Sequence, residues 1–499
     1  MTDRSRPLEG LHAQPGVAAR GTRLMSAILL RPASALVTGI KTATAVAVVA
    51  AAPVALADDG GPPAVADPAE ALIEKRLDNG FHVVLLEDHR TPVVAVQIWV
   101  NAGSADESFH TGIAHLFEHM MFRGSKHIGK EVHAQLINER GGRINAYTSR
   151  DVTVYHEDVT AESLPLVIDL EAERFLNLII DEDSLASERE VVLEERRLRT
   201  EDTPDGRGFE ALAALVWQAH PYRWPVIGWR TDVEQVSVEA CRAFFDTYYA
   251  ANDLTLVIVG DFETAPTLAQ IERAFGRLPT APSIPRNPTT VVEQRGERRA
   301  DVYYEANLPL LFAGWHAPPS GHGDGESLDV ASQILSGGRS SRLYRSLVYD
   351  QELALYAHGS YWEMADAGMF YASAGARPGV SLDVLEEAFM AEIRKVAEEG
   401  VSEEEVARAK RQMEVSLINR FSTNHSMAGR LGREIVMFGR VRPLAERIEA
   451  IRAVTPADVQ RVVRTYLTDA GRNVVRVLSP PVVEDAATKE LAPSEGGAQ

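Results

Sequence analysis

A single cysteine, Cys241, stands in 499 residues, so no disulfide can close within the chain. It lies in Glu-Ala-Cys-Arg-Ala-Phe-Phe (239–245), which reads as helix interior. A lone cysteine there is a small buried hydrophobe without assigned chemistry. Positive charge is also in short supply: 51 lysines and arginines against 71 aspartates and glutamates leave a formal charge of -20. That deficit argues against a nucleic-acid surface, whose phosphates demand a basic face, and describes a solvated acidic exterior. The apolar run Ala43 to Val54 is too short to hold the chain across a bilayer as a permanent helix.

What is present describes a soluble, enzyme-like chain, 45% hydrophobic and 24% charged, and too long for one ordinary core. Lys41, the apolar run, and Ala55-Leu56-Ala57 before Asp58 follow the basic, apolar and small-residue order of a secretory signal peptide. Residues 1–57 are therefore expected to be removed on export to the periplasm, with translation starting at Met1 or Met25. An uncleaved membrane anchor is the alternative.

Residues 58–70 read as a Pro/Gly/Ala linker, 71–276 as a first domain, and 277–298 as a Pro-rich linker. A second domain is expected over 299–482 and a disordered tail over 483–499. An Asn79-Gly80 turn leads into strands at 81–86 and 93–100, and 252–262 reads as a buried strand. Helices are expected at 111–123, 131–140, 161–178 and 184–200. The second half opens with a strand over 301–317, and 336–347 is a Gly-containing turn entering a helix. The halves repeat each other. Ser237 and Tyr248 recur as Thr455 and Tyr466, each 218 residues on, with helix, loop and β-branched strand in the same order. The pattern predicts an α+β fold duplicated as two homologous domains.

In His115-Leu-Phe-Glu118-His119 the two histidines stand at i and i+4 and project from one helix face, the spacing at which two imidazoles can share a zinc ion. Glu118 lies where it can reach a water on that ion without having to ligate it. The surroundings (Ile113, Leu116, Phe117, Met120, Met121, Phe122) leave little room for a wet face, and burying these polar groups unpaired costs several kcal/mol. A third ligand should come from Ser187 to Asp202, whose apolar stripe runs Val191, Val192 and Leu198. Glu188 and Glu195, seven apart, lie along that stripe, whereas Glu194 turns away. On spacing Glu195 is modestly preferred over Glu194 as the inward carboxylate, and Glu188 could orient a ligand from behind.

With these motifs in place, NGFHVVLLED, TPVVAVQIWVNAGSADE, GIAHLFEHMMFRGS, GGRINAYTSRDVTVY, SEREVVLEE and HPYRWPVIG in order, the chain resembles the pitrilysin/insulinase family of zinc peptidases. The resemblance spans 71–480. It implies one Zn²⁺ per chain on His115, His119 and Glu195, with Glu118 as general base and Glu188 as a supporting carboxylate. It implies that Asn145, Ala146 and Tyr147 hold peptide substrate in extended form. It also implies domains with a mostly antiparallel sheet and helices packed on it, together half of a clamshell enclosing short or unfolded peptides. The second half offers GESLDVASQILSGG without a histidine, so that copy is structural. Non-catalytic assembly subunits and zinc-dependent binding proteins are the competing classes, and the intact Glu118 argues against the first.

Relatives also carry an arginine and a tyrosine seven apart in the second half, which hydrogen-bond substrate and developing oxyanion. Here Val348 and Leu355 stand at those places, with Tyr356 one position off and Arg345 three early. The resemblance therefore implies a homologous partner that supplies the pair in a heterodimer, with a homodimer using Tyr356 as the alternative.

Overall fold

Long β-branched runs bounded by turns form the strands, and in the computed structural model these gather into two sheets. The described residues are 69, 71–305, 308–420 and 422–480. The expected signal peptide, the 58–70 linker apart from Ala69, and the tail 483–499 lie outside them.

The first half runs β1 (Ile73–Arg76), β2 (His82–Glu87), β3 (Val93–Val100), α1 (Ile113–Met120), α2 (Val132–Glu139), β4 (Arg143–Thr148), β5 (Thr153–Thr160), α3 (Leu164–Asn177), α4 (Glu182–Arg196), α5 (Pro204–Val216), α6 (Arg230–Gln235), α7 (Val238–Tyr248), β6 (Leu254–Gly260) and α8 (Thr264–Phe275). A proline-rich connection follows. The second half runs β7 (Arg298–Tyr303), β8 (Leu310–Ala317), α9 (Gly325–Ser336), β9 (Ala354–Trp362), β10 (Gly368–Ala376), α10 (Leu382–Glu399), α11 (Glu403–Asn419), α12 (Asn424–Phe438), α13 (Leu444–Ala453), α14 (Pro456–Tyr466) and β11 (Asn473–Leu478).

The first sheet has the order β1-β2-β6-β3-β5-β4 and the second β7-β11-β8-β10-β9. In the first, β2 and β6 are parallel and the remaining neighbours antiparallel. In the second, β7 and β11 are parallel and the rest antiparallel. The five-strand pattern is the same, and β1 is an added edge. The fold is thus α+β with two sheets of one topology, as the internal repeat predicts.

The strand sequences explain why both faces of each sheet are covered. Successive residues of β3 point to opposite faces. Val94, Val96, Ile98 and Val100 enter one core with α1, α3 and α7, while Ala95 and Trp99 enter another with Met427, Leu431 and Ile435. Those last three belong to α12, a helix of the second half. The exchange is mutual. On β8, Leu311, Ala313 and Trp315 face the second half's own helices, while Leu310 and Phe312 meet Leu212, Ala213 and Val216 of α5, a helix of the first half. Each crossing helix carries a glycine at the closest approach. A Cβ on Gly432 would stand 2.2 Å from the Trp99 ring, and one on Gly208 2.3 Å from Phe312.

Two sequence expectations need correction. The single strand over 301–317 is two, β7 and β8, because β7 runs parallel to β11 and β8 antiparallel to it, so the chain reverses between them. Pro309, with no N–H to give a ladder, stands just before β8. The inward stripe of α4 is Leu185, Val192 and Leu193; Leu198 is 54% exposed. The α-helix ends at Arg196 and continues as a π-helical turn, Arg197–Glu201, which shifts the register and turns Leu198 outward.

Candidate metal centre

Helix α1 is built to be held still. Leu116, Phe117 and Met120 are fully buried, each contributing about 1.5–3 kcal/mol relative to exposure. Its N-terminus is tied by Glu107, whose carboxylate accepts the backbone N–H of Gly112 (2.9 Å) and of Ala114 (3.0 Å). Burial pushes that carboxyl well above its ordinary range, and the two amide bonds pull it back.

The remaining face of α1 turns toward α4. His115 and His119 have ring centroids 4.9 Å apart. From α4, Glu195 brings Oε2 to 3.8 Å from His115 Nε2 and 3.5 Å from His119 Nε2. Glu188, two turns earlier, accepts from His119 Nδ1 at 3.1 Å. In the neutral ring that contact places the proton on Nδ1 and leaves the lone pair on Nε2. Glu194 points elsewhere: it is exposed and pairs with Arg197 at 2.6 Å.

Glu118 is 8% exposed, and its Oε2 accepts from the Thr148 hydroxyl of β4 at 2.6 Å. Burial raises its carboxyl above the usual range, while Thr148 and His119 oppose the rise. The same strand carries Asn145, Ala146 and Tyr147. Asn145 and Tyr147 are exposed, Ala146 is buried, and the Ala146 N–H turns to the Asn145 side-chain oxygen at 2.9 Å. β4 is an edge strand, paired among the described residues with β5 alone, the geometry to which an extended peptide can add a strand.

The charges at the centre are strongly coupled. Burial, followed by the neighbouring imidazole, pushes His115 down to about 4. Burial also pulls on His119, but hydrogen bonds to Glu188 and Glu195 outweigh it and raise that ring to about 9. Glu188 and Glu195 stay below the ordinary carboxylate range, because their basic neighbours overcome the burial of each.

The donor set suits a divalent cation. The ligating atoms of His115, His119 and Glu195 lie within 4.8 Å of one another. Around tetrahedral zinc, with bonds of about 2.0–2.1 Å, ligand atoms stand roughly 3.3 Å apart, close to the two separations from Glu195. Two other groups among the described residues could converge on an ion, and both have other occupants. In His133, Glu157 and Glu171, the Arg174 guanidinium already bonds Glu171 at 2.5 Å and supplies a buried positive charge. In Glu87, His89 and Glu263, which is exposed, the two nitrogens of His89 engage Asp261 at 2.6 Å and Glu87 at 2.8 Å.

Known proteins share this plan. Residues 82–228 match the family described as Insulinase (Peptidase family M16), and residues 235–413 match the Peptidase M16 inactive domain. The chain belongs to the insulinase family of peptidases. Within that family, the zinc protease PqqE of Helicobacter pylori is 27% identical over 404 residues, 80% of this chain and 91% of that protein. An uncharacterized zinc protease of Mycobacterium bovis is 30% identical over 416 residues, 81% of this chain and 93% of that one. The crystal structure of a protease from Helicobacter pylori superposes with a TM-score of 0.79 at 26% identity, covering 82% of this chain and 99% of that one.

Sequence reasoning missed Glu107 and Thr148. Glu107 precedes the helix it anchors in a loop without periodicity, and Thr148 meets Glu118 only because β4 folds beside α1. The partner-related positions belong to other elements than α1 and α4. Val348 is half-buried in a π-helical turn, and Arg345 of that turn stands 3.7 Å from Asp350. Leu355 and Tyr356, 50% and 39% exposed, lie on the edge strand β9. Among the described residues no helix is long and apolar enough to cross a membrane.

Proposed function

We propose that this family member is a zinc endopeptidase holding one Zn²⁺ on His115, His119 and Glu195, with Glu118 as general base. The observation that carries the reading is the convergence of two Nε2 atoms and one carboxylate oxygen on one point, beside a fourth, buried carboxyl. Bound zinc supplies Lewis acidity, polarising a scissile carbonyl and lowering the pKa of water. Glu118, held by Thr148, takes the proton of the attacking water and returns it to the departing amine. The edge strand β4 at Asn145, Ala146 and Tyr147 pairs with an extended substrate backbone, which favours short or unfolded peptides. Glu188 fixes the tautomer of His119.

Two further parts of the reading concern assembly and place. A homologous partner chain supplies the arginine and tyrosine absent at Val348 and Leu355, with a homodimer using Tyr356 as the other arrangement. The protein is exported after removal of residues 1–57.

The test is Glu118→Gln. It should retain zinc at the wild-type ratio and lose about 10²–10⁴-fold in kcat on an unstructured peptide. Hydrolysis near the wild-type rate would overturn the role of Glu118. Zinc bound elsewhere, with His115→Ala and Glu195→Gln both fully loaded, would overturn the ligand set.

A further inference from the structure

Both acidic residues of α4 that face the histidines are split in the same way. Glu188 directs Oε2 to His119 Nδ1, and its Oε1 receives both Nε and Nη2 of Arg123. Glu195 directs Oε2 toward the two Nε2 atoms, and its Oε1 is held by Arg199 Nη1 at 2.5 Å. In each carboxylate one oxygen is pinned by a guanidinium and the other is offered to the histidines. We propose that Arg123 and Arg199 are positioning residues of the metal centre, fixing which carboxylate oxygen faces it. The inference rests on the zinc reading above.

The physical reason is rotational. An ionised carboxylate on a Glu side chain has a loosely restricted final torsion and can present either oxygen, or both. A charge-assisted hydrogen bond, as from Arg123, or a close ion pair, as from Arg199, to one oxygen restricts that freedom. For Glu188, the consequence is a fixed acceptor for the Nδ1 proton of His119, which keeps the Nε2 lone pair free to ligate. For Glu195, Oε2 rather than Oε1 is the oxygen that would hold the metal.

The two arginines differ in setting. Arg123, just beyond the end of α1, is 20% exposed in its side chain and also donates to Ser187 Oγ at 3.0 Å. It therefore links α1 directly to α4. Arg199 is 77% exposed and hangs from the π-helical turn after α4, so water screens its contact. Arg123 carries the larger effect.

The experiment is zinc affinity by competition with a calibrated chelator, on the full chain. Arg123→Met should raise the zinc Kd about 10–100-fold, and Arg199→Met by a few-fold at low salt. Arg123→Lys, which keeps the charge, should recover part of the loss. Because Arg123 acts through Glu188, adding Arg123→Met to Glu188→Gln should weaken zinc no further than Glu188→Gln alone. A merely structural role would make the two losses additive, and additivity overturns the proposal. Wild-type affinity in Arg123→Met overturns it while leaving the zinc reading intact. A wild-type chain that binds no zinc overturns both. Should Arg123→Met fail to fold, Arg199→Met, which removes only an exposed side chain, and Arg123→Lys decide the matter by the same readout.

Discussion

The two halves of this molecule share a sheet topology and differ in what their helices present. In the first, α1 follows β3 and lies against β4 and α4; in the second, α9 follows β8 and lies against β9 and α11. α1 shows α4 two imidazoles at i and i+4, and α4 answers with Glu195, fourteen residues after its cap Asp181. α9 shows Asp329 and Gln333, also at i and i+4, to a cavity of about 330 Å³, where α11 contributes Ser416, fourteen residues after its cap Ser402. Asp329 is exposed at this wall, which belongs to none of the groups among the described residues that could hold an ion. One scaffold therefore serves two purposes, and the chemistry resides in a few side chains on two helices.

The largest expected effect breaks the comparison at its centre. His115→Ala should remove bound zinc and abolish turnover, whereas Asp329→Ala and Gln333→Ala should leave zinc content unchanged; metal analysis of the purified variants checks both. The reciprocal helix packing comes next. Gly432→Val and Gly208→Val should each destabilise by about 1–3 kcal/mol through overpacking against Trp99 or Phe312, read as a lower denaturation midpoint. A variant of either kind with an unchanged midpoint would show that the helix does not cross as described. Thr148→Val should lower kcat roughly tenfold, from loss of a hydrogen bond of about 1.5 kcal/mol to a charged group, with zinc retained and Thr148→Ser largely restoring the rate.

The smallest effect separates the parallel strand pairs. Near the end of the β2–β6 pair, His89 bonds Asp261 and Glu87, which raise it to about 8. Across β7–β11, Arg476 bonds Asp301 at 2.7 and 2.8 Å with a charge that does not titrate. A raised folded pKa stabilises below the unfolded value near 6.5, and the benefit is lost as pH rises through about 8. His89→Asn should lower the denaturation midpoint slightly at pH 6 and not at pH 9, while Arg476→Gln should act alike at both.

Much of this was legible from spacing alone. The i, i+4 placement of His115 and His119 follows from the angle a helix turns per residue, which prefers Glu195 over Glu194 only modestly, and the structure brings His115, His119 and Glu195 together. The repeat at 218 residues anticipates a repeated sheet order. Periodicity failed where it changes within an element: α4 passes into a π-helical turn, and Leu198, in phase with an α-helix, is exposed. It also failed where one apolar run serves two strands, as between Tyr303 and Leu310. The exchange of α5 and α12 was beyond its reach, because an amphipathic helix declares that it has a buried face but not which sheet buries it.

The central claim is that the metal centre belongs to the first half alone and is built by α1 and α4. Anomalous scattering at the zinc edge, from crystals of the zinc-loaded chain, tests it most directly. One peak is expected, within about 2.0–2.2 Å of His115 Nε2, His119 Nε2 and Glu195 Oε2. A peak in the second half's cavity at Asp329 and Gln333, or none on α1, would contradict it.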